Sequence, residues 1–122
     1  MAMSENEHQE MIFQWAAINE PRCPELRLLY HVPNEGQRNR LYAYALKRRG
    51  VKAGVPDLCL PVARGGYHGL YIELKADKGR PTARQAEWVD ALARQGYKAA
   101  ICHGWEQATD MIERYLGLGT CQ

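Results

Sequence analysis

Asp57, Glu73 and Lys75 lie inside an otherwise apolar, turn-punctuated stretch that runs from Gly54 to Lys75. Leu70, Ile72 and Leu74 alternate there with Tyr71, Glu73 and Lys75, so a strand of period two sends the aliphatics to one face and Glu73 with Lys75 to the other. Leu58, Leu60 and Val62 share one parity, and Asp57 has the opposite one. Gly65-Gly66 with Tyr67-His68-Gly69 supplies turn chemistry between the two runs. The pattern predicts an antiparallel hairpin of Val55–Val62 and Leu70–Lys75 that brings Asp57 near Glu73. Charges buried in such a hairpin cost several kcal/mol each unless compensated. A metal ion is the natural compensation. Two carboxylates about one residue pair apart, with a backbone carbonyl, make the oxygen-rich, partly open site that Mg²⁺ prefers, and Lys75 would face the water or phosphate held there. This is the arrangement for metal-assisted hydrolysis of a phosphodiester.

Pro56-Asp57 followed by Glu73-Leu74-Lys75 also resembles the PD-(D/E)xK nuclease signature. Three further runs sharpen the resemblance: G-V-K-A-G-V-P-D-L at Gly50 to Leu58, V-P-N-E-G at Val32 to Gly36, and T-x-x-Q-x-x-W at Thr82 to Trp88. Together they resemble the small stand-alone phage and bacterial members of the VRR-NUC family, the virus-type replication-repair nuclease domain, across residues 5 to 105. The resemblance implies a restriction-endonuclease-like α/β core, a mixed β-sheet flanked by helices. It implies Mg²⁺ or Mn²⁺ held by Asp57, Glu73 and the Leu74 carbonyl, with a glutamate of the first helix completing the shell. Glu5, four residues before Gln9, has the family's spacing; Glu7 and Glu10 compete for the role. Lys75 would orient the attacking water and stabilise the phosphorane. Gln85 would lie beside Lys75, although Thr82 and Gln85 also have the spacing of a helix capping box. The implied substrate is branched or flapped DNA, Holliday junctions included, and the implied assembly a homodimer, whose two-fold axis suits a symmetric junction.

Composition agrees with a single soluble domain over residues 1–122, its core at about 5–116. Hydrophobic residues make up 46% and charged residues 25% of the 122-residue chain, the balance of an ordinary globular protein. No apolar run approaches the roughly 20 residues of a membrane span, and the polar start M-A-M-S-E-N-E-H lacks a signal-peptide core, so a cytoplasmic location is expected. Cys23, Cys59, Cys102 and Cys121 form no C-x-x-C and are expected to be reduced. The four histidines have no metal-ligand spacing, which argues against a zinc hydrolase. Net charge is only +2, yet Arg38, Arg40, Lys47, Arg48, Arg49 and Lys52 cluster within fifteen residues. That cluster reads as a phosphate-facing patch or a solvated helix face. Asn34, Arg38, Lys52, Lys78 and Arg80 are the candidate DNA contacts.

The elements that must position these residues follow in order. Ser4 caps a helix to about Ile18 whose inner side carries Ile12, Trp15 and Ala16. Leu26 to Val32 alternates as a strand, Arg38–Arg49 reads as a helix ended by Gly50, and the central hairpin follows. Thr82 begins a helix with Gln85, Trp88, Val89 and Leu92 inside; Tyr97–Cys102 is a short strand, and a last helix spans Trp105 to about Leu116. Trp105, Tyr42, Tyr67 and Leu118 exceed the needs of one small core and are candidates for an interface. Two rivals stand beside a metal-dependent endonuclease: a non-catalytic DNA-binding module of the same fold, and a sequence-reading restriction-type enzyme, for which 122 residues leave little room.

Overall fold

In the computed structural model, residues 2–33 and 40–118 are described; Asn34 and Arg38 lie outside them, as does Cys121. The elements are α1 (Glu5–Asn19), a 3₁₀ turn (Pro24–Leu28), β1 (Tyr30–His31), α2 (Arg40–Arg48), β2 (Leu58–Leu60), β3 (Leu70–Lys75), α3 (Ala83–Arg94), β4 (Lys98–His103) and α4 (Trp105–Leu116). The strands form one mixed sheet in the order β1-β2-β3-β4, antiparallel except for the parallel β3–β4 pair. α3 is the crossover that a parallel pair requires, and it packs on both strands it connects.

The expected hairpin is present with Leu58 opposite Ile72 and Leu60 opposite Leu70. Its first strand is shorter than the apolar run, Leu58–Leu60 instead of Val55–Val62. Pro56 and Pro61 bracket it, and a proline has no N–H to give to a ladder. The turn is tight: Arg64 and Tyr67 exchange both backbone hydrogen bonds, and Gly65 and Gly66 between them take φ of 60° and 87°. Positive φ at both central residues is what a two-residue hairpin turn of matching twist needs.

Leu26–Val32 departs further from expectation. Pro24 opens a 3₁₀ turn instead of a strand, and only Tyr30–His31 pairs with β2. Leu26 and Leu29, three apart, eclipse on one side of that turn and are both buried, while Leu28 faces outward. Alternation on paper concealed a period of three.

Leu70, Ile72 and Leu74 join Ile12, Ala16, Ala108 and Ile112 in the core, so α1 and α4 cover the aliphatic face of β3. The Trp105 N–H donates to His8 Nδ1 (3.1 Å), fastening α4 to α1. Trp105 and Leu118 pack against this core and are not the surplus apolar surface that their count suggests. The exposed large apolar side chains sit elsewhere, chiefly Leu41, Tyr42 and Tyr44 on α2, none of whose residues is buried. Among the described residues no helix is long and apolar enough to cross a membrane. Cys23, Cys59 and Cys102 are buried and free.

Candidate active site

Extending the β2–β3 register by one residue sets Asp57 opposite Glu73. Asp57 stands just past the end of β2, where β3 would otherwise be left with a free N–H. Its carboxylate fills that gap: the Leu74 N–H donates to Asp57 Oδ2 (2.8 Å). A strand residue's N–H and C=O leave by the same edge, so the Leu74 carbonyl faces the same gap. The Asp57 backbone is held from the other side, its carbonyl accepting from the Val32 N–H (2.7 Å) and from His31 Nδ1 (3.1 Å).

Glu73 and Lys75 sit two residues apart on the face of β3 away from the aliphatic core, and both are buried, at 1% and 7% exposure. Lys75 Nζ lies 3.5 Å from Glu73 Oε2. The other oxygen, Glu73 Oε1, is buried without any hydrogen-bond partner among the described residues. Burial above all, then the neighbouring Asp57 carboxylate and, least, Glu5, push the Glu73 carboxyl up to about 7 against the pull of Lys75. Asp57 is also raised, again chiefly by burial and further by Glu5, with the Leu74 N–H, His31 and Lys75 opposing. Two carboxylates therefore share one ammonium, and the cluster carries surplus negative charge and an unused acceptor. An oxygen-seeking cation fits that deficit.

Glu5 is thus within electrostatic reach of both carboxylates. It is nonetheless exposed, and among the described residues no three His, Cys, Asp or Glu side chains converge as a closed metal cage would require. Glu7 is committed elsewhere: the Ser4 N–H donates to Glu7 Oε1 (2.8 Å) and the Glu7 N–H to Ser4 Oγ (3.1 Å), a capping box on α1. A serine three residues before a glutamate was the signal for this, and it separates Glu7 from Glu5. Gln85 forms the matching box on α3, accepting from the Thr82 N–H through Oε1 (2.8 Å). Only its Nε2 amide is left to face a substrate.

Lys52, Lys78 and Arg80 are exposed. Lys52 borders a cavity of about 320 Å³ with Val55 and Trp88, beside the loop that leads into Asp57. The segment from Lys78 to Arg80 is pinned by His103 Nε2, which donates to the Gly79 carbonyl (2.9 Å). The loop into Asp57 is seated on α3 through Gly54. Its φ is +92°, and a Cβ there would lie 2.7 Å from Arg84 Cγ, 2.9 Å from Trp88 Cδ1 and 3.0 Å from the Arg84 carbonyl. Gly54→Ala is expected to destabilise the fold by about 2 kcal/mol or more, through backbone strain plus steric displacement of α3. A urea midpoint unchanged from wild type would contradict that account of the loop.

The fold and this cluster can be set beside known proteins. The VRR-NUC domain model matches residues 2–106. A solved VRR_NUC domain protein superposes with a TM-score of 0.83 at 35% identity, covering 98% of this chain and 93% of that one. No curated protein matches the chain significantly. With the family model spanning most of its length and a hairpin carrying Asp57, Glu73 and Lys75 at its centre, the chain belongs to the VRR-NUC family of nuclease domains.

Proposed function

We propose that this chain is a Mg²⁺- or Mn²⁺-dependent endonuclease that hydrolyses phosphodiester bonds in branched or flapped DNA. The observation that carries the reading is Glu73 Oε1, a buried carboxylate oxygen without a partner among the described residues, beside a second carboxylate and one buried lysine. Asp57 and Glu73 would hold the cation through their carboxylates and the Leu74 carbonyl would add a third oxygen, leaving room in the shell for water and substrate phosphate, as Mg²⁺ prefers. A bound divalent cation supplies Lewis acidity and lowers the pKa of water. Lys75 orients the attacking water and offsets charge on the phosphorane, in a dry setting where one fixed ammonium acts strongly. The water oxygen would bond to phosphorus as the bond from phosphorus to one ester oxygen breaks, the proton that the water gives up passing to solvent and the leaving oxygen taking one from solvent, and the strand would be cut.

Glu5 adds negative potential at the rim and would complete the metal shell; Gln85 would contribute through its Nε2 amide. Lys52, Lys78 and Arg80 neutralise backbone phosphates, a role that Asn34 and Arg38 would share from outside the described residues. Glu5→Ala is expected to weaken Mn²⁺ binding and slow cleavage, whereas Glu7→Ala costs about 1 kcal/mol of stability through the lost capping box and leaves Mn²⁺ affinity alone. Calorimetric Mn²⁺ titration alongside urea unfolding separates them, and the reverse pattern would exchange their roles.

A homodimer accounts for exposed Leu41, Tyr42 and Tyr44 on α2 and supplies two sites for a two-fold symmetric junction. Light scattering at micromolar concentration is expected to give twice the 13.9 kDa chain mass; a monomer that cuts linear duplex and four-way junction equally would remove the resolvase reading. For the substrate class, purified protein is incubated with end-labelled single-stranded, duplex, flap and four-way DNA in Mg²⁺. Flap and junction are expected to be cut preferentially, and preference for plain duplex would overturn the assignment.

A further inference from the structure

A cavity lies between α3 and the loop that leads into Asp57, on the Glu73–Lys75 side of the sheet. α3 packs on β3 and β4, yet among the described residues none of its side chains joins the aliphatic core that α1 and α4 build on Leu70, Ile72 and Leu74. α3 therefore covers the other face, which carries Glu73 and Lys75. The cavity measures about 320 Å³ and is walled by Val32, Pro33, Val51, Lys52, Val55 and Trp88. Lys52 is the one charged side chain in this wall among the described residues.

Each wall is anchored. Val51 is tied to the end of α2, its N–H donating to the Leu46 carbonyl (3.0 Å). Gly54, at φ +92°, has no Cβ to stand between the loop and Trp88 Cδ1, so the indole closes on the loop by one edge. Val32 donates its N–H to the Asp57 carbonyl (2.7 Å). Val55 stands two residues before Asp57, at most about 7 Å along the chain. Two walls of the cavity are thus fastened to Asp57, which by register shares its face of the sheet with Glu73.

An aromatic wall, aliphatic sides and a single cation at the rim suit a flat heteroaromatic ring that carries a phosphate. Such a ring stacks whatever its identity, and a lysine takes the phosphate as a point charge. The volume is at the lower end for ligand sites and has room for one ring of this kind. At the stacked rise of about 3.4 Å per nucleotide, the step from Val55 to Asp57 is about two nucleotides at most. We propose that this cavity receives one unpaired base of the DNA strand held at the Asp57–Glu73–Lys75 site, next to the scissile phosphate or one nucleotide beyond, with the base against Trp88 and its phosphate on Lys52. The inference rests on the nuclease reading above and gives that reading a physical source of branch selectivity. A paired base enters only after unstacking and flipping, a cost that an unpaired flap nucleotide does not carry.

The test uses the full chain carrying Glu73→Gln, so that DNA is bound without being cut, and labelled flap DNA in which one abasic nucleotide is moved stepwise past the branch. One abasic position is expected to weaken binding about tenfold, as loss of a stacked base does, and the others to change it little. Trp88→Ala is expected to cost a similar factor on the intact flap and to add nothing at that abasic position, because both changes remove one contact. Val51→Phe fills the cavity and leaves Trp88 in place; it is expected to do the same and carries the comparison if Trp88→Ala does not fold. Lys52→Glu is expected to weaken every flap and to lower the salt slope by at least about one. An abasic penalty of equal size in wild-type and altered cavities, or at no position, would overturn the proposal, as would DNA affinity that falls only in step with a loss of dimer mass. Cleavage by the chain with Glu73 intact, measured in parallel with Mg²⁺, keeps the two readings apart: no cutting of any DNA defeats the nuclease reading, whereas cutting that ignores the abasic position defeats only this one.

Discussion

Glu73→Gln is expected to abolish cleavage while making the metal-free protein more stable above pH 7. The two effects have one cause. In the fold the Glu73 carboxyl is lifted from an ordinary 4.5 to about 7, chiefly by burial and next by Asp57. At about 1.4 kcal/mol per pH unit, ionising it costs the folded state about 3 kcal/mol. A raised folded pKa places the penalty on the alkaline side: the protonated carboxyl carries none below about pH 4.5, and stability is lost as pH rises through about 7. Glutamine resembles the protonated form and leaves Asp57 and Lys75 as a balanced pair. In EDTA, the melting temperatures of variant and wild type should coincide near pH 4.5 and diverge as pH rises, by several degrees at pH 8. Mn²⁺ reverses the order. Ligation stabilises wild type, by about 2.7 kcal/mol at a hundredfold excess over Kd, and does little for the variant. DNA binding persists in the variant because the cationic surface is untouched. A variant less stable than wild type at pH 8 in EDTA would mean that the Lys75–Glu73 contact outweighs the burial of Glu73.

Lys75→Ala should slow cleavage by about 10²–10³-fold with Mn²⁺ still bound, the usual consequence of removing one positioned electrostatic group from a water-poor site. Lys75 is not free to be replaced by solvent: it is buried, 3.5 Å from Glu73 Oε2, and a Cβ on Gly79 would lie 3.4 Å from its Cδ, so the loop after β3 closes over it. Removing its charge leaves two carboxylates facing one another, which is expected to lower metal-free stability at neutral pH but keeps the oxygens proposed to ligate the cation. Single-turnover rates at saturating Mn²⁺, with calorimetric Mn²⁺ titration of the same variant, test this. Loss of Mn²⁺ binding would make Lys75 a structural counter-ion instead of a group acting on the water or phosphate.

The clustering of Asp57, Glu73 and Lys75 was legible because a strand has a period of two and the offending residues kept one parity: Glu73 and Lys75 could not join Leu70, Ile72 and Leu74. The antiparallel hairpin then placed Asp57 by register alone. What could not be read is the use Asp57 makes of its position, accepting from the Leu74 N–H, since that depends on β2 stopping between Pro56 and Pro61. Leu26–Val32 misled because Leu26 and Leu29 satisfy a three-residue turn as readily as an alternating strand. The glutamates of α1 were ambiguous until the capping box engaged Glu7. Thr82 and Gln85 show the converse, a local spacing whose hydrogen bonds form as written. Val32, Lys52 and Trp88 carried no joint pattern; they meet only because Val32 is held on Asp57 and the loop before Asp57 is seated on α3.

The most direct test of the proposed metal dependence is cleavage of one end-labelled flap DNA by a single preparation, divided between Mg²⁺, Mn²⁺ and EDTA, with Glu73→Gln treated identically. Cutting by wild type in either cation, its complete loss in EDTA and in the variant, and restoration when Mn²⁺ is returned to the chelated wild type are the predicted results. Cutting that persists in EDTA, or at full rate in Glu73→Gln, would contradict the assignment of the buried carboxylate pair as the seat of the reaction.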